Sequence, residues 1–223
     1  MARQIFIGLI SEGSTDQRFL KSIVERTFDD LKFECDSDID IFDIKEIKLS
    51  TGTTFVTKVL ESSSIGYKNF GMTILCVQTD ADNRNLEDTY SHKIKPALIE
   101  LESQDANQCC KILVAIVPIQ ETEAWMLADK ELLKQEMGTD RSDNDLEINR
   151  MPEHIANPKE VIENAIRIAR ESYTKKRRKD LTLADLYLPI GQSIDLFKLE
   201  RLSSYQDFQS NVRKAFKSLN LLH

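Results

Sequence analysis

Phe70-Gly71-Met72-Thr73-Ile74-Leu75-Cys76-Val77-Gln78-Thr79-Asp80-Ala81-Asp82-Asn83 is the stretch that decides the fold. A near-continuous apolar run stops at two carboxylates one residue apart. A run of this length without polar alternation suits a strand covered on both faces, as in a parallel sheet. Acids at the carboxyl end of such a strand stand where open α/β sheets place their ligands. The spacing of Asp80 and Asp82 lets both side chains reach one hard cation.

Working outward, Ile5 to Ile10 predicts a first strand ending in Ser11-Glu12-Gly13-Ser14-Thr15-Asp16. Ser14 is a candidate helix cap, with Gln17 completing a capping box, and Phe19, Leu20, Ile23, Val24 and Phe28 follow at helical spacing. Ile41 to Leu49 alternates well enough for a second strand. A helix is expected over 52–63, with a loop from Ser62 to Gly66. Leu86 to Glu102 reads as helical with a kink or restart at Pro96. Lys111 to Val117 predicts a fourth strand, stopped by Pro118, and Gln120 to Asp129 a helix holding Trp125. The segment from Gly138 to Arg150 is polar and reads as a mobile loop. Asn157-Pro158-Lys159-Glu160 is a strong helix start, and a last helix is expected from about Ser204. Strand runs alternating with helical patterns point to βαβ units. The expected architecture is α/β, a mainly parallel sheet of about four strands flanked by helices. It divides into residues 1–135 and a helical C-terminal extension, 136–223.

The totals limit what such a fold can do. The chain has 223 residues and a net charge of −7, so it carries no general basic coat for nucleic acid. Four cysteines form neither a disulfide framework nor a zinc pattern, and three histidines are too scattered for a zinc or His-based site. A metal would be held by oxygen, which favours Mg²⁺ or Mn²⁺. With no apolar run of membrane length and no leader-like start, a cytoplasmic protein without a membrane partner is expected.

Glu12 follows the first strand, Asp80 and Asp82 the third, and Glu121 and Glu123 the fourth. In a parallel sheet these ends share one rim, and carboxylates gathered there support metal-assisted phosphoryl transfer. Of the last pair, Glu123 is chosen as the residue facing the metal. Lys175-Lys176-Arg177-Arg178-Lys179 reads in two ways, as a solvated basic helix end or as a grip on a phosphate backbone. Trp125 is expected to pack in the core rather than to stack on a base.

The arrangement strand-Glu12-Gly13-x-Thr15-Asp16 with Asp80-x-Asp82 after a hydrophobic strand resembles the Toprim domain of topoisomerases, bacterial primases and overcoming-lysogenization-defect nucleases. Pro118-x-x-Glu121-x-Glu123-Ala124-Trp125-x-Leu127-Ala128-Asp129 is similar to a group of small bacterial Toprim-like proteins, as is Asn157-Pro158-Lys159-Glu160. The resemblance covers roughly the first 130 residues. It implies a Toprim-like (Rossmann-like) sheet, Glu12 as general acid or base or metal ligand, and Asp80 and Asp82 as metal ligands. Glu123 is a further carboxylate, and Lys176 a lysine assisting the transition state. It implies a Mg²⁺-dependent nuclease acting on DNA or RNA, in anti-phage defence beside an ATPase partner. The alternative is a non-catalytic interaction or regulatory subunit of an ATPase complex. A third possibility is phosphoryl chemistry on a small nucleotide. The separate domain carrying a topoisomerase tyrosine, and the zinc module of primases, have no counterpart in this sequence.

Overall fold

The strand containing Ile74 is buried on both faces, and the sheet is built around it. A computed structural model of the protein describes residues 2–48, 54–81, 85–174, 177 and 180–223. The sheet strands are β1 (Arg3–Ile5), β2 (Ile7–Ile10), β3 (Ile39–Ile41), β4 (Lys45–Glu46), β5 (Ile74–Gln78) and β6 (Leu113–Ile116). Four of them form one sheet in the order β4-β2-β5-β6, and β1 pairs with β3 beside it. All the pairings are parallel, with Ile7 opposite Ile74 and Leu75 opposite Leu113. The expected mainly parallel sheet of four strands flanked by helices is therefore present.

The second strand is not the unbroken 41–49 run that the alternation suggested. It comes in two pieces because its neighbour does too. Phe6 separates β1 from β2, its N–H taken by the Thr73 hydroxyl at 2.9 Å. Across the gap Phe42 stacks on Phe6 with ring centroids 4.6 Å apart, while Ile44 turns into the core. Leu49 lies outside the described residues.

Two faces of the sheet bury different side chains, as period-two strands must. Ile7, Leu9, Ile74, Cys76, Val114 and Ile116 share one core with α1 (Ser14–Leu31) and the C-terminal helices. Ile10, Leu75 and Val77 face the other way, with Val59 of α2 (Phe55–Phe70) and Ala97. Helices α1 and α2 thus cover opposite faces. The chain moves outward from β2 to β4, then returns past β2 to β5. The switch point of the sheet lies between β2 and β5, the crevice where such sheets bind ligands.

Helix α2 runs further than expected. Its Ser62-Ser63-Ser64-Ile65-Gly66 segment reads as a loop by composition, yet Ser62, Ser63 and Gly66 are buried inside the helix. A Cβ on Gly66 would lie 2.6 Å from Met72 Sδ, so the small residues let α2 lie close against the sheet edge. The helix is capped by the Thr54 hydroxyl, which accepts from Thr57 N–H at 3.2 Å. At α1 the expected Ser14 cap is absent: Ser14 is already helical and Gly13 holds the cap position without a side-chain bond.

Pro96 acts as foreseen, with a local consequence. Short α3 (Leu86–Thr89) leads through a π-helical turn, Tyr90–Ile94, into α4 (Lys95–Ser103). Proline has no N–H to continue the ladder, and just before it Lys95 N–H bonds the carbonyl of Tyr90, five residues back.

After β6 the helix expected over 120–129 shortens to one turn, α5 (Glu123–Met126). Asp129 leaves helical geometry and caps α6 (Lys130–Met137), accepting from Leu132 N–H at 3.1 Å. The polar 138–150 segment is not loose. Leu146 and Ile148 are fully buried and pin it to the core. Helix α7 (Pro158–Ala169) starts at Asn157 as read, and α8 (Leu183–Ser193), α9 (Leu196–Leu199) and α10 (Ser203–Ser218) follow. Gly191 brings α8 against α1, because a Cβ there would meet the Phe19 carbonyl oxygen at 2.3 Å. Among the described residues no helix is long and apolar enough to cross a membrane.

Candidate active site at the carboxyl rim of the sheet

Gln78, the last residue of β5, ties the strand ends together. Its buried carboxamide oxygen accepts the Glu12 N–H at 2.9 Å, spanning the switch point. Its Nε2 donates to Asp80 Oδ1 at 2.8 Å and lies 3.2 Å from the Thr122 hydroxyl, which itself donates to Asp80 Oδ1 at 3.2 Å. The ends of β2, β5 and β6 are therefore held in one network. Glu12 receives a short hydrogen bond from the Thr79 hydroxyl. The Lys93 ammonium stands 3.2 Å from Glu12 Oε1, 2.7 Å from Thr79 Oγ1 and 3.4 Å from the Asp80 carbonyl. Lys93 reaches this rim from the π-helical turn.

Glu123 is buried at the start of α5, and the Tyr187 hydroxyl from α8 donates to it. The connector that delivers Thr122 and Glu123 includes Gln120 in left-handed backbone (φ 68). A non-glycine residue held there costs of order 1–3 kcal/mol, and such residues cluster at functional sites. Glu121 accepts the Lys159 N–H at 3.4 Å, helping to dock the start of α7, and its charge also acts on Tyr187.

The acids feel one another. Burial, followed by the charges of Asp16, Glu12 and Glu123, pushes the Asp80 carboxyl up to about 8 against the help of the Thr122 hydroxyl. Asp16, in the first turn of α1, is raised as well, chiefly by burial, with Glu123 and Glu12 adding to the push. Burial and the facing Glu123 carboxylate likewise raise the Tyr187 phenol, so that it stays a donor. A buried carboxylate crowded by like charges is unfavourable in its ionised form.

Among the described residues no three His, Cys, Asp or Glu side chains stand as a group able to hold a metal ion. The donor chemistry fits a hard divalent cation even so. The nearby donors are carboxylate and hydroxyl oxygens, and Asp80 is pushed toward its protonated form by burial and then by neighbouring acids whose charge a cation would offset.

Of the residues singled out in the sequence, Glu12, Asp80 and Glu123 come to this one rim. Asp82, Lys175, Lys176, Arg178 and Lys179 lie outside the described residues. Arg177 is described and exposed, and its carbonyl accepts from the Arg170 guanidinium. Asp16, Gln78, Thr79, Lys93, Thr122 and Tyr187 were not chosen. Asp16 stands in the motif Glu12-Gly13-x-Thr15-Asp16, but in sequence its place suits a first-turn acid facing the helix dipole. Compared with family models, curated proteins and solved structures, the chain matches none.

Proposed function

We propose that this rim is the active site of a Mg²⁺-dependent phosphodiester hydrolase of the Toprim kind, acting on DNA or RNA. The observation that carries the reading is geometric: Gln78 and Thr122 hold Glu12 and Asp80 together beside Glu123 at the switch point of a parallel sheet, where burial first, and then the neighbouring acids, raise the Asp80 carboxyl. Asp80 and Glu123 would hold the cation, with Asp82 the further ligand that the sequence spacing supplies. Bound there, Mg²⁺ or Mn²⁺ would neutralise the phosphate and ready water for attack. Glu12 is the proton carrier. It is exposed on the rim and its Oε1 is oriented by the Thr79 hydroxyl and by Lys93. The Lys93 ammonium, beside Glu12, stabilises negative charge as it grows on the phosphoryl oxygens. Gln78 and Thr122 fix the angle of Asp80.

The second reading, a non-catalytic subunit beside an ATPase, is favoured by the internal partners that two of the acids already have, Lys93 on Glu12 and Tyr187 on Glu123. One assay separates them. The purified full chain is incubated with linear and circular DNA and with RNA, in Mg²⁺, in Mn²⁺ and in EDTA. Cleavage is expected only with metal, and Glu12→Gln should slow it by about 100-fold or more while the circular dichroism spectrum is unchanged. Cleavage that persists in EDTA, or that ignores Glu12→Gln, contradicts the hydrolase reading. No cleavage under any metal leaves the subunit reading.

A further inference from the structure

The crevice beside Glu12 opens into a cavity of about 270 Å³. Ile10, Val77 and Phe55 give it apolar walls, and Lys58 and Lys93 reach it from two sides. Phe55 and Lys58 belong to the first turn of α2, whereas Lys93 comes from the π-helical turn before α4. Lys58 is partly exposed, and its ammonium has no hydrogen-bond or ion-pair partner among the described residues. Two cations against the single carboxylate of Glu12 leave this wall net positive, in a chain of net charge −7. The positive end of the α2 dipole adds to the same potential.

We propose that this cavity is the subsite for one nucleotide of a single-stranded substrate. Its phosphate lies between Lys58 and Lys93, and its base or sugar lies against the Phe55 ring. The inference rests on the hydrolase reading for its place next to Glu12, and it narrows the substrate class. A space of this size admits one nucleotide unit, whereas an intact duplex, with its bases paired and stacked inside, cannot enter. Ammonium groups supply phosphate contacts without base readout, and an aromatic face accepts any base, so the subsite is indifferent to sequence. Single-stranded DNA, single-stranded RNA and frayed duplex ends are the forms that fit.

Equilibrium binding tests the subsite apart from catalysis. Adenosine monophosphate, inorganic phosphate, a short single-stranded oligonucleotide of non-hydrolysable phosphodiester analogue and the matching blunt duplex are titrated against the full chain, with Ca²⁺ in place of Mg²⁺. The monophosphate and the single strand should bind more tightly than inorganic phosphate or the duplex. Lys58→Gln should weaken both by about tenfold, the scale of one charge-assisted hydrogen bond, and Lys58→Arg should restore most of it. Equal affinity for single strand and duplex, or affinity unmoved by Lys58→Gln in a folded protein, overturns the subsite. The two readings fail separately. Lys58-dependent nucleotide binding without any cleavage leaves the subsite standing and removes the hydrolase. Metal-dependent cleavage indifferent to Lys58 does the reverse.

Discussion

Replacing Asp80 by asparagine should make the metal-free protein more stable at pH 8 and, in the same stroke, abolish its response to Mg²⁺. Most substitutions of a buried hydrogen-bonded residue destabilise, so the sign is the test. In the folded protein the Asp80 carboxyl is pushed up to about 8, well above its value in an unfolded chain. A carboxyl raised by folding contributes stability that is present below the unfolded value and lost as pH rises through the folded one. Between about pH 4 and pH 8 the metal-free protein should therefore weaken steadily, because the unfolded chain gives up a proton that the folded Asp80 still holds. Converted at about 1.4 kcal/mol for each pH decade, and reduced for the solvent that still reaches the side chain, the penalty at pH 8 is about 3 kcal/mol. Asparagine keeps the side-chain oxygen that accepts from Gln78 and Thr122 and never ionises. Its melting temperature at pH 8 in EDTA should rise by roughly 6–12 °C over the parent, and the difference should vanish near pH 4. Adding Mg²⁺ should raise the melting temperature of the parent and leave the variant unmoved. Phosphodiester cleavage by the variant should fall by about a thousandfold, as expected when a ligand of the catalytic cation is lost. A variant less stable than the parent at pH 8 would show that Asp80 is a structural acid.

Trp125→Ala should be the most damaging single change to the fold, at about 4 kcal/mol in urea denaturation followed by circular dichroism. Trp125 is the only tryptophan and is completely buried. Its ring meets Tyr205 edge-on with centroids 5.3 Å apart and lies 6.3 Å from Phe208, both on α10. Its Nε1 donates to the Ser204 hydroxyl at 2.8 Å, and Ser204 in turn is held by Glu153. Glu153 also accepts the N–H groups of Ser203 and Ser204, closing the amino end of α10. One aromatic side chain thus joins the turn that carries Glu123 to the helix that covers the sheet. Trp125→Phe keeps one aromatic ring but loses the donor and part of the ring volume, and should cost about 2–3 kcal/mol, less than the alanine variant. If the alanine variant loses less than about 1 kcal/mol, Trp125 is not the joint described here.

The central strand and the rim it feeds were legible because their signals are local. An apolar run such as Ile74 to Val77 reads as a strand buried on two faces whatever surrounds it, and acids after a strand read as strand-end acids. Glu12, Asp80 and Glu123 could be picked in this way. Lys93 and Tyr187 could not. Tyr187 reaches Glu123 from 64 residues away in the chain, and Lys93 owes its place to a widened turn before Pro96. Tertiary packing also decided the boundaries that composition misjudged. Ser62 to Gly66 looks like a breaker until the sheet makes small residues an advantage inside α2. Asp129 looks like one more residue of a helix until its side chain is needed to start the next.

Calorimetric titration of the full chain with Mg²⁺ at pH 6.5 and pH 8, in buffers of different ionisation enthalpy, tests the central claim most directly. A cation that binds Asp80 must displace its proton below about pH 8. One saturable site is expected, weaker by about tenfold for each pH unit below 8, releasing close to one proton at pH 6.5, and absent in Asp80→Asn. No saturable binding, or binding of equal strength at both pH values that survives Asp80→Asn, would contradict the assignment of this rim as a divalent-cation site.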